Sequence, residues 1–355
     1  MTAAALAALP LQTHHRLRRL LACGDPSATY RAVTEGERLI DGVDDRIWNS
    51  WRGATGLDEV MAQRCAEHGI SVVCTRDENY PQVLTDDIDP PPVLFHRGNL
   101  ASLRLRRVGV IGTRTASLSG CNFARALGRD LALNGVSVVS GLARGIDVHA
   151  HRGVAGAGTG TAVAVVACGL DVVYPPEHGL DWDEVAENGL LLSEAPPGTR
   201  PETHRFPLRN RVLAALSEVL VVVESRTRGG SMITVREAMK RGVTVMAVPG
   251  SPHSPVSDGT NALLKDGCEP VTDVDDVIVA LGLNTASTHR AVDTREPPTE
   301  RERVVLAACL GRPVSTDGIV LTLGMPVFEA GVLLGRLEAK GWVQQVNGWW
   351  EALTR

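Results

Sequence analysis

Short apolar runs alternate with helix-length windows through the middle of the chain, and this alternation leaves few folds open. Six runs are candidate strands: Val108–Ile111, Val136–Ser140, Ala162–Ala167, Leu190–Ser193, Val219–Glu224 and Val243–Val248. Five windows between them are candidate helices: Ser119–Asn134, Ile146–Ala157, Asp181–Asn188, Asn210–Leu216 and Ser231–Arg241. Nearly continuous apolar strands separated by helices are typical of βαβ units. The pattern predicts an α/β fold with a doubly wound, mostly parallel sheet.

The regions on either side have patterns of their own. Residues 1–75 are predicted to form a helical N-terminal domain, and residues 76–283 the α/β core. The polar segment 284–298 closes with two prolines and is predicted to be a linker. The length of 355 residues agrees with two or three domains of ordinary size.

Residues 299–355 are predicted to form a winged-helix domain. Thr299 begins a capping sequence for a first helix, and further helices are expected near Thr316–Leu323 and Val327–Lys340. Asn347 and Gly348 then stand between apolar-rich segments, which is a strong hairpin signal. Three helices followed by a hairpin are typical of this relative of the helix-turn-helix.

The cysteines and the apolar runs exclude several classes of protein. Seven cysteines are scattered without a C-x-x-C pair, so neither a disulfide framework nor a zinc site is expected, and a reducing cytoplasm is the expected location. No apolar run approaches the roughly 18 residues of a membrane span, so no membrane association is expected. His149 and His151 are two residues apart, which on a helix points them to different faces. No metal or other cofactor is predicted.

Charge is distributed unevenly along the chain. The formal net charge is −5, with 36 basic and 41 acidic side chains. Between residues 102 and 160 there are two acids and eight arginines, the arginines at positions 104, 106, 107, 114, 125, 129, 144 and 152. A basic face on an acidic chain predicts binding to a polyanion. Solvated surface arginines are the other interpretation.

Two strand-to-helix turns in the core have residues that bind anions. The first contains Gly112, Thr113 and Arg114, and the second contains Gly141 and Arg144. Backbone N–H groups at a helix N-terminus and a nearby guanidinium both attract anions. Neither turn is a Walker loop or a G-x-G-x-x-G fingerprint, which argues against an ATPase. A tight turn that only packs remains the alternative for the first.

Acidic and small residues accompany these turns. Asp147 follows the second turn and is expected to cap its helix and to orient Arg144. Glu224 ends a predicted strand, and Gly230 and Ser231 then open a helix whose N-terminus also favours anions. Because Glu224 has no paired nucleophile, capping or orientation of an arginine is its expected role.

One further segment combines an aromatic ring with charge. Its residues are Phe206, Arg209, Asn210 and Arg211. A flat ring for stacking beside guanidinium groups is what a binder of single-stranded nucleic acid needs. The alternative is a buried phenylalanine at the start of a helix.

Taken in chain order, segments between about residues 75 and 275 resemble the DNA-processing protein A (DprA, also called Smf) family. The residues that carry the resemblance are Tyr80-Pro81, Pro91 to Leu94, Gly112 to Arg114, Ser140 to Asp147, Ala150-His151, Gly169 to Asp171, Tyr174-Pro175, Ser193-Glu194, Phe206 to Arg211, Pro249-Gly250 and Gly259 to Asn261. The helical N-terminus and the winged-helix tail resemble family accessory domains, the former a SAM-like domain.

The resemblance implies an extended Rossmann-like core that binds single-stranded DNA. It further implies a homodimer that protects incoming DNA during natural transformation and loads the RecA recombinase. Such proteins are not known as enzymes, so no catalytic residue is predicted. Five positions match family positions associated with the DNA pocket: Arg114, Phe206, Arg209, Asn210 and Arg211.

Two other functions remain open. The first is a nucleotide or nucleotide-sugar hydrolase on a related Rossmann-like fold, although Pro249-Gly250 is followed by Ser251, which breaks the Pro-Gly-Gly-x-Gly-Thr signature of those enzymes. The second is a ligand-sensing regulator whose winged helix reads duplex DNA. The candidate recognition helix carries two cations against two acids, which is little charge for groove binding.

Overall fold

A computed structural model of the chain describes residues 1–283, 295–310, 313–346 and 348–353. Most of the predicted linker, residues 284–294, lies outside the described residues, and so does Asn347 of the predicted hairpin turn.

The N-terminal region is helical, as the sequence predicts. Its helices are α1 (Thr2–Ala7), α2 (His14–Ala22), α3 (Pro26–Glu35), α4 (Asp45–Trp51) and α5 (Leu57–Glu67). Side chains of Thr13, Asp25 and Asp44 cap the starts of α2, α3 and α4. Apolar residues of this region belong to the same buried cluster as one face of the central sheet.

Nine described strands form the central sheet. They are β1 (Ser71–Cys74), β2 (Val93–Gly98), β3 (Arg107–Ile111), β4 (Ser137–Ser140), β5 (Ala162–Val165), β6 (Leu190–Ser193), β7 (Val219–Val222), β8 (Thr244–Ala247) and β9 (Glu269–Pro270). Their order is β1-β2-β6-β5-β4-β3-β7-β8-β9. Strands β3 to β9 pair in parallel, while β2 joins β6 and β1 joins β2 in antiparallel fashion. The predicted α/β fold with a mostly parallel sheet is confirmed.

The last residues of the predicted helical domain belong to this sheet. Residues Ser71–Cys74 form β1 and pair with β2, so the strand lies on the N-terminal side of the predicted boundary at residue 75. Its four residues include only two valines, and a run this short cannot be distinguished from the end of a helix by periodicity.

Helices cover both faces of the sheet. The core helices are α6 (Gln82–Thr85), α7 (Leu118–Leu133), α8 (Ile146–Ala157), α9 (Gly179–Asn188), α10 (Arg205–Leu216), α11 (Ser231–Lys240), α12 (Asp258–Lys265) and α13 (Val274–Ala280). Apolar residues of α7, α8, α9 and α13 pack with the N-terminal helices on one face, and those of α6, α10, α11 and α12 pack on the other. Because β3 is flanked by β4 and β7, the winding of the chain reverses there, and such a reversal opens a crevice at the carboxyl ends of the strands.

The C-terminal tail, defined here as described residues from 299 to 353, has its own core. Its elements are α14 (Glu300–Ala308), β10 (Val314–Ser315), α15 (Thr316–Leu323), α16 (Val327–Ala339), β11 (Val343–Val346) and β12 (Trp349–Ala352). The strands form an antiparallel sheet in the order β10-β12-β11, packed on the helices. No single described helix is long and apolar enough to cross a membrane. Taken together, α15 and α16 have the length and composition of a membrane span, but they are bent by 116° relative to each other.

Candidate nucleic-acid interface

A cleft of about 530 Å³ opens at the reversal point, where β3 and β7 end. It is lined by the turn after β3, the start of α8, the first turns of α10, and the loop that leads into α11. Both predicted anion-binding turns and the Phe206 segment contribute residues to it, so the fold brings together positions that lie far apart in the sequence.

Glu224 holds the turn after β3 in place. The backbone N–H and the hydroxyl of Ser117 donate to its carboxylate at 2.8 and 2.5 Å, and the N–H of Thr113 donates to its main-chain carbonyl at 2.7 Å. Ser117 in turn caps α7 by accepting from the N–H of Gly120. Glu224 therefore has a structural role, but it positions the capping residue Ser117 and is not itself a cap or, among the described residues, the partner of an arginine.

Gly112 is needed for packing within this turn. A Cβ atom on Gly112 would lie 2.3 Å from a side-chain carbon of Ile146 and 2.8 Å from the carbonyl of Glu224. For Gly112, the structure therefore agrees with the alternative interpretation of this turn, in which the residue serves tight packing. Thr113 and Arg114 follow it on the wall of the cleft.

Arg114 and Phe206 form a flat, positively charged surface. The Arg114 guanidinium lies over the Phe206 ring, 4.6 Å from the centroid, and the Tyr174 ring is 5.9 Å from Phe206 at a 55° tilt. Arg114 is exposed, and no acidic side chain in the described part of the chain forms an ion pair with it. A cation beside two aromatic rings provides both a phosphate contact and a stacking platform.

Arg209 lies in the floor of the cleft and is 8% exposed. Its guanidinium donates to the carbonyls of Gly141, at 3.0 Å, and Val165. These bonds hold the ends of β4 and β5 together. The predicted role of Arg209 in binding DNA stays a prediction, because in this structure its guanidinium is occupied by the two carbonyls.

The Asp147 carboxylate lies beside Arg209. It accepts from the N–H of Gly141 at 3.2 Å and is 7% exposed. Burial raises the pKa of Asp147 to about 6, although Arg209 acts in the opposite direction. A Cβ on Gly141 would be 2.4 Å from the Arg209 guanidinium and 2.7 Å from the Asp147 carboxylate, so only glycine leaves space for this pair. The residue that Asp147 stabilises is thus Arg209 and not Arg144.

Arg211 points away from the cleft. It donates to the Glu194 carboxylate and to the Asp89 carbonyl, and its side chain is 7% exposed. Asp89 also pairs with Arg18 of α2. Arg211 therefore joins the N-terminal helices to the core, and its expected role in binding DNA stays a prediction. Asn210 lines the cleft and accepts from Arg209 Nε at 3.3 Å.

Most of the predicted basic face is neutralised. Five of the eight arginines between residues 102 and 160 form ion pairs: Arg106 and Arg107 with Glu218, Arg129 with Asp130, Arg144 with Glu177, and Arg152 with Asp181. Four of these five pairs use acids outside that window of sequence, which a local charge count cannot include. The remaining three, Arg104, Arg114 and Arg125, are exposed and form no ion pair within the described residues, and of these Arg114 lines the cleft.

The second rim of the cleft is the loop before α11. Gly230 is the N-cap of α11, and a Cβ there would meet nothing within 4 Å. The Ser231 hydroxyl is 2.7 Å from that of Ser225, and both Gly230 and Ser231 line the cleft. Arg226 also lines the cleft and is exposed. Sequence reasoning missed Arg226, although an arginine directly after a strand-end Glu-Ser was the signal available.

Residues 71–282 match the sequence profile of the family described as DNA recombination-mediator protein A. This chain belongs to that family. The resemblance stated from the motifs is confirmed, and the matched range begins at β1.

Several family members are similar over most of their length. Protein Smf of Escherichia coli K12 is 33% identical over 285 residues, which are 78% of this chain and 76% of that protein. DNA processing protein DprA of Streptococcus pneumoniae R6 is 39% identical over 202 residues, 57% of this chain and 71% of its own.

Two solved structures of the family share the fold. The structure of DprA from Streptococcus pneumoniae has a TM-score of 0.67 at 30% identity, covering 78% of this chain and 95% of that one. A structure that describes the single-stranded DNA binding mode of DNA processing protein A from Helicobacter pylori has a TM-score of 0.54 at 31% identity, covering 60% and 95%.

The described part of this family member holds no group of three or more histidine, cysteine, aspartate or glutamate side chains that could hold a metal ion. His149 Nδ1–H donates to the Gly145 carbonyl at 2.8 Å, within the first turns of α8. His151 is buried on another side of the same helix.

His151 should make the fold sensitive to acid. It is 2% exposed, and neither ring nitrogen has a hydrogen-bond partner within the described chain. Burial lowers the pKa of His151 from 6.5 to about 4. The unfolded chain binds this proton at a higher pH than the folded chain does, so the free energy of unfolding should fall as pH drops from about 6.5 toward about 4. The expected loss is about 2 kcal/mol at pH ~5. His151→Leu should remove this dependence in urea unfolding compared at pH ~7.5 and ~5.

The matched control is His68→Leu, which changes an exposed histidine. Protonation of Asp147 changes stability over an overlapping pH range and in the opposite direction. Because wild type and both variants contain Asp147, its effect cancels in the comparison. Equal losses of stability at low pH in wild type and His151→Leu would show that another group causes the acid sensitivity.

Proposed function

We propose that this chain binds single-stranded DNA in the cleft and acts as a recombination mediator. The observation that carries the proposal is the Arg114 guanidinium over the Phe206 ring, exposed at the reversal point of the sheet. Bases would stack on Phe206 and Tyr174, while Arg114, Arg226 and the N-terminus of α11 face the phosphates.

The relatives support the wider role. The Helicobacter pylori protein is described by its single-stranded DNA binding, and the relatives from Bacillus subtilis and Streptococcus pneumoniae are named DNA processing protein DprA. We infer that this chain likewise protects single strands in the cytoplasm during transformation, loads the RecA recombinase and works as a homodimer. We further infer that the tail is a winged-helix domain, because three helices, α14 to α16, pack on a small antiparallel sheet.

A hydrolase is the weaker alternative. Glu224, the one carboxylate at the end of β7, accepts two hydrogen bonds from Ser117 and faces away from the cleft lining. Asp147 is buried against Arg209. The Ser117 hydroxyl beside Glu224 caps α7, and neither Ser117 nor Glu224 lines the cleft, so we infer that the chain is not an enzyme.

The decisive experiment is a titration of fluorescent oligo-dT and of duplex DNA across a salt series. Oligo-dT should bind more tightly than duplex of equal length, because only unpaired bases can stack on Phe206. The logarithm of the affinity for oligo-dT should fall linearly with the logarithm of salt concentration, by roughly 0.7 per phosphate contacted. Equal affinity for both DNAs, or release of product from nucleotides that Glu224→Gln abolishes, would overturn the proposal.

A chain that ends at residue 283 is expected to keep its affinity for oligo-dT within about threefold. All residues that line the cleft lie between 111 and 234. The segment 299–355 has six cations and six acids, and Arg301, Arg303 and Lys340 are ion-paired. Such a segment attracts phosphates weakly. Titrations of the full chain and of residues 1–283 at one salt concentration measure the difference.

The truncated chain must retain the N-terminal region and begin at residue 1. A fragment of residues 76–283, which the predicted boundary suggests, would lack β1 and uncover the cluster shared with the N-terminal helices. A folded 1–283 chain that loses most of its affinity would place part of the strand-binding surface in the tail.

A further inference from the structure

One amide of the core contacts both strands of the tail hairpin. Asn122 lies on α7, and its Oδ1 accepts from Gln344 at 3.2 Å while its Nδ2 donates to Glu351 at 3.3 Å. Gln344 and Glu351 are directly opposite each other on β11 and β12. A single side chain thus bonds a cross-strand pair, which fixes the orientation of the hairpin on the helix.

This contact buries a carboxylate next to another one. Glu351 is 7% exposed and Glu224 is 9% exposed. Burial, and then the nearby charge of Glu224, raise the pKa of Glu351. The other ionisable groups close to the contact are Cys121, Arg125 and Arg152, and no cation of the described chain forms an ion pair with Glu351. An ionised Glu351 would therefore be buried without an ion-pair partner, and the charge of Glu224 would disfavour it further.

We propose that Glu351 is a proton-operated latch: its neutral form holds the tail on α7, and its ionised form releases it. In the released tail the side chain returns to water, away from Glu224, so ionisation costs less there than in the docked arrangement. The latch does not depend on DNA binding, because neither Asn122 nor Glu351 lines the cleft.

The direction of the pH dependence follows from the same contact. The pKa of Glu351 is raised above 4.5 when the tail is docked, so the docked chain holds more protons than the released chain just above that value. Docking is favoured at the acidic end of this window. As pH rises through it, the docking equilibrium should weaken by up to about tenfold per pH unit.

The test is small-angle X-ray scattering of the full chain between pH ~4 and ~8, a range that begins below the ordinary glutamate pKa of 4.5. Wild type should expand as pH rises. Glu351→Gln should stay compact throughout, because the amide oxygen still accepts from Asn122 and carries no charge. Asn122→Asp adds a carboxylate to the contact and should be expanded throughout. Glu338→Gln, the same change at an exposed residue of α16, should follow wild type.

Circular dichroism would confirm that each variant is folded, and amide exchange over the first turns of α7 would report docking independently. Scattering that is independent of pH in wild type would overturn the latch. So would an expansion in Glu351→Gln equal to that of wild type, or a folded Asn122→Asp chain as compact as Glu351→Gln.

Discussion

Phe206→Ala is expected to weaken binding of oligo-dT by roughly 1–3 kcal/mol, or about 5- to 150-fold, which is the range for losing one base–aromatic stack. The ring is partly exposed in the cleft and supports the Arg114 guanidinium at 4.6 Å. Removing it deletes the platform but leaves the phosphate contacts. The measurement is fluorescence titration at several salt concentrations, in which affinity should fall while the salt slope stays nearly constant.

Arg114→Ala provides the complementary result. Loss of one phosphate contact should lower the salt slope by about 0.7, with a smaller loss of affinity at high salt. Leu208→Ala is the matched control, since Leu208 is 41% exposed two residues after Phe206 and does not line the cleft. Phe206→Ala with wild-type affinity in a folded chain would remove the stacking platform from the proposed site.

The strands and helices of the core were predictable because burial on both sheet faces leaves a strong periodic signal. Helix Ile146–Ala157 agrees with its prediction at both ends, and β6 does the same. Strand β1 was not recognised, since four residues with two valines carry too little pattern. The Phe206 and Arg114 positions were predicted, but their contact across 92 residues depends on the reversal at β3.

The roles of the arginines were the least predictable part of the site. Arg144 is neutralised by Glu177, 33 residues away, and Arg107 by Glu218. Sequence alone does not reveal which acid the fold brings to which arginine. One signal was available in α10: Val212 to Leu216 is apolar on every side, and a helix buried all round must satisfy its arginines internally.

Arg209→Ala is expected to destabilise the fold by about 3–5 kcal/mol, the range for breaking a buried charge pair from one side. The variant leaves the carbonyls of Gly141 and Val165 without their donor and the buried Asp147 without its attracting charge. Urea unfolding should show the deficit. Because Asp147 already has a pKa of about 6, protonation should relieve part of the deficit at pH ~5 compared with pH ~8.

Arg125→Ala, which removes an exposed arginine without an ion pair among the described residues, should change stability by no more than about 0.5 kcal/mol. Arg209→Ala combined with Asp147→Asn should recover part of the lost stability at pH ~8, because the buried charge is gone. The opposite result is equally informative. If Arg209→Ala were as stable as Arg125→Ala and lowered the salt slope by about 0.7, Arg209 would be a phosphate ligand. The floor of the cleft would then have to open when the strand binds.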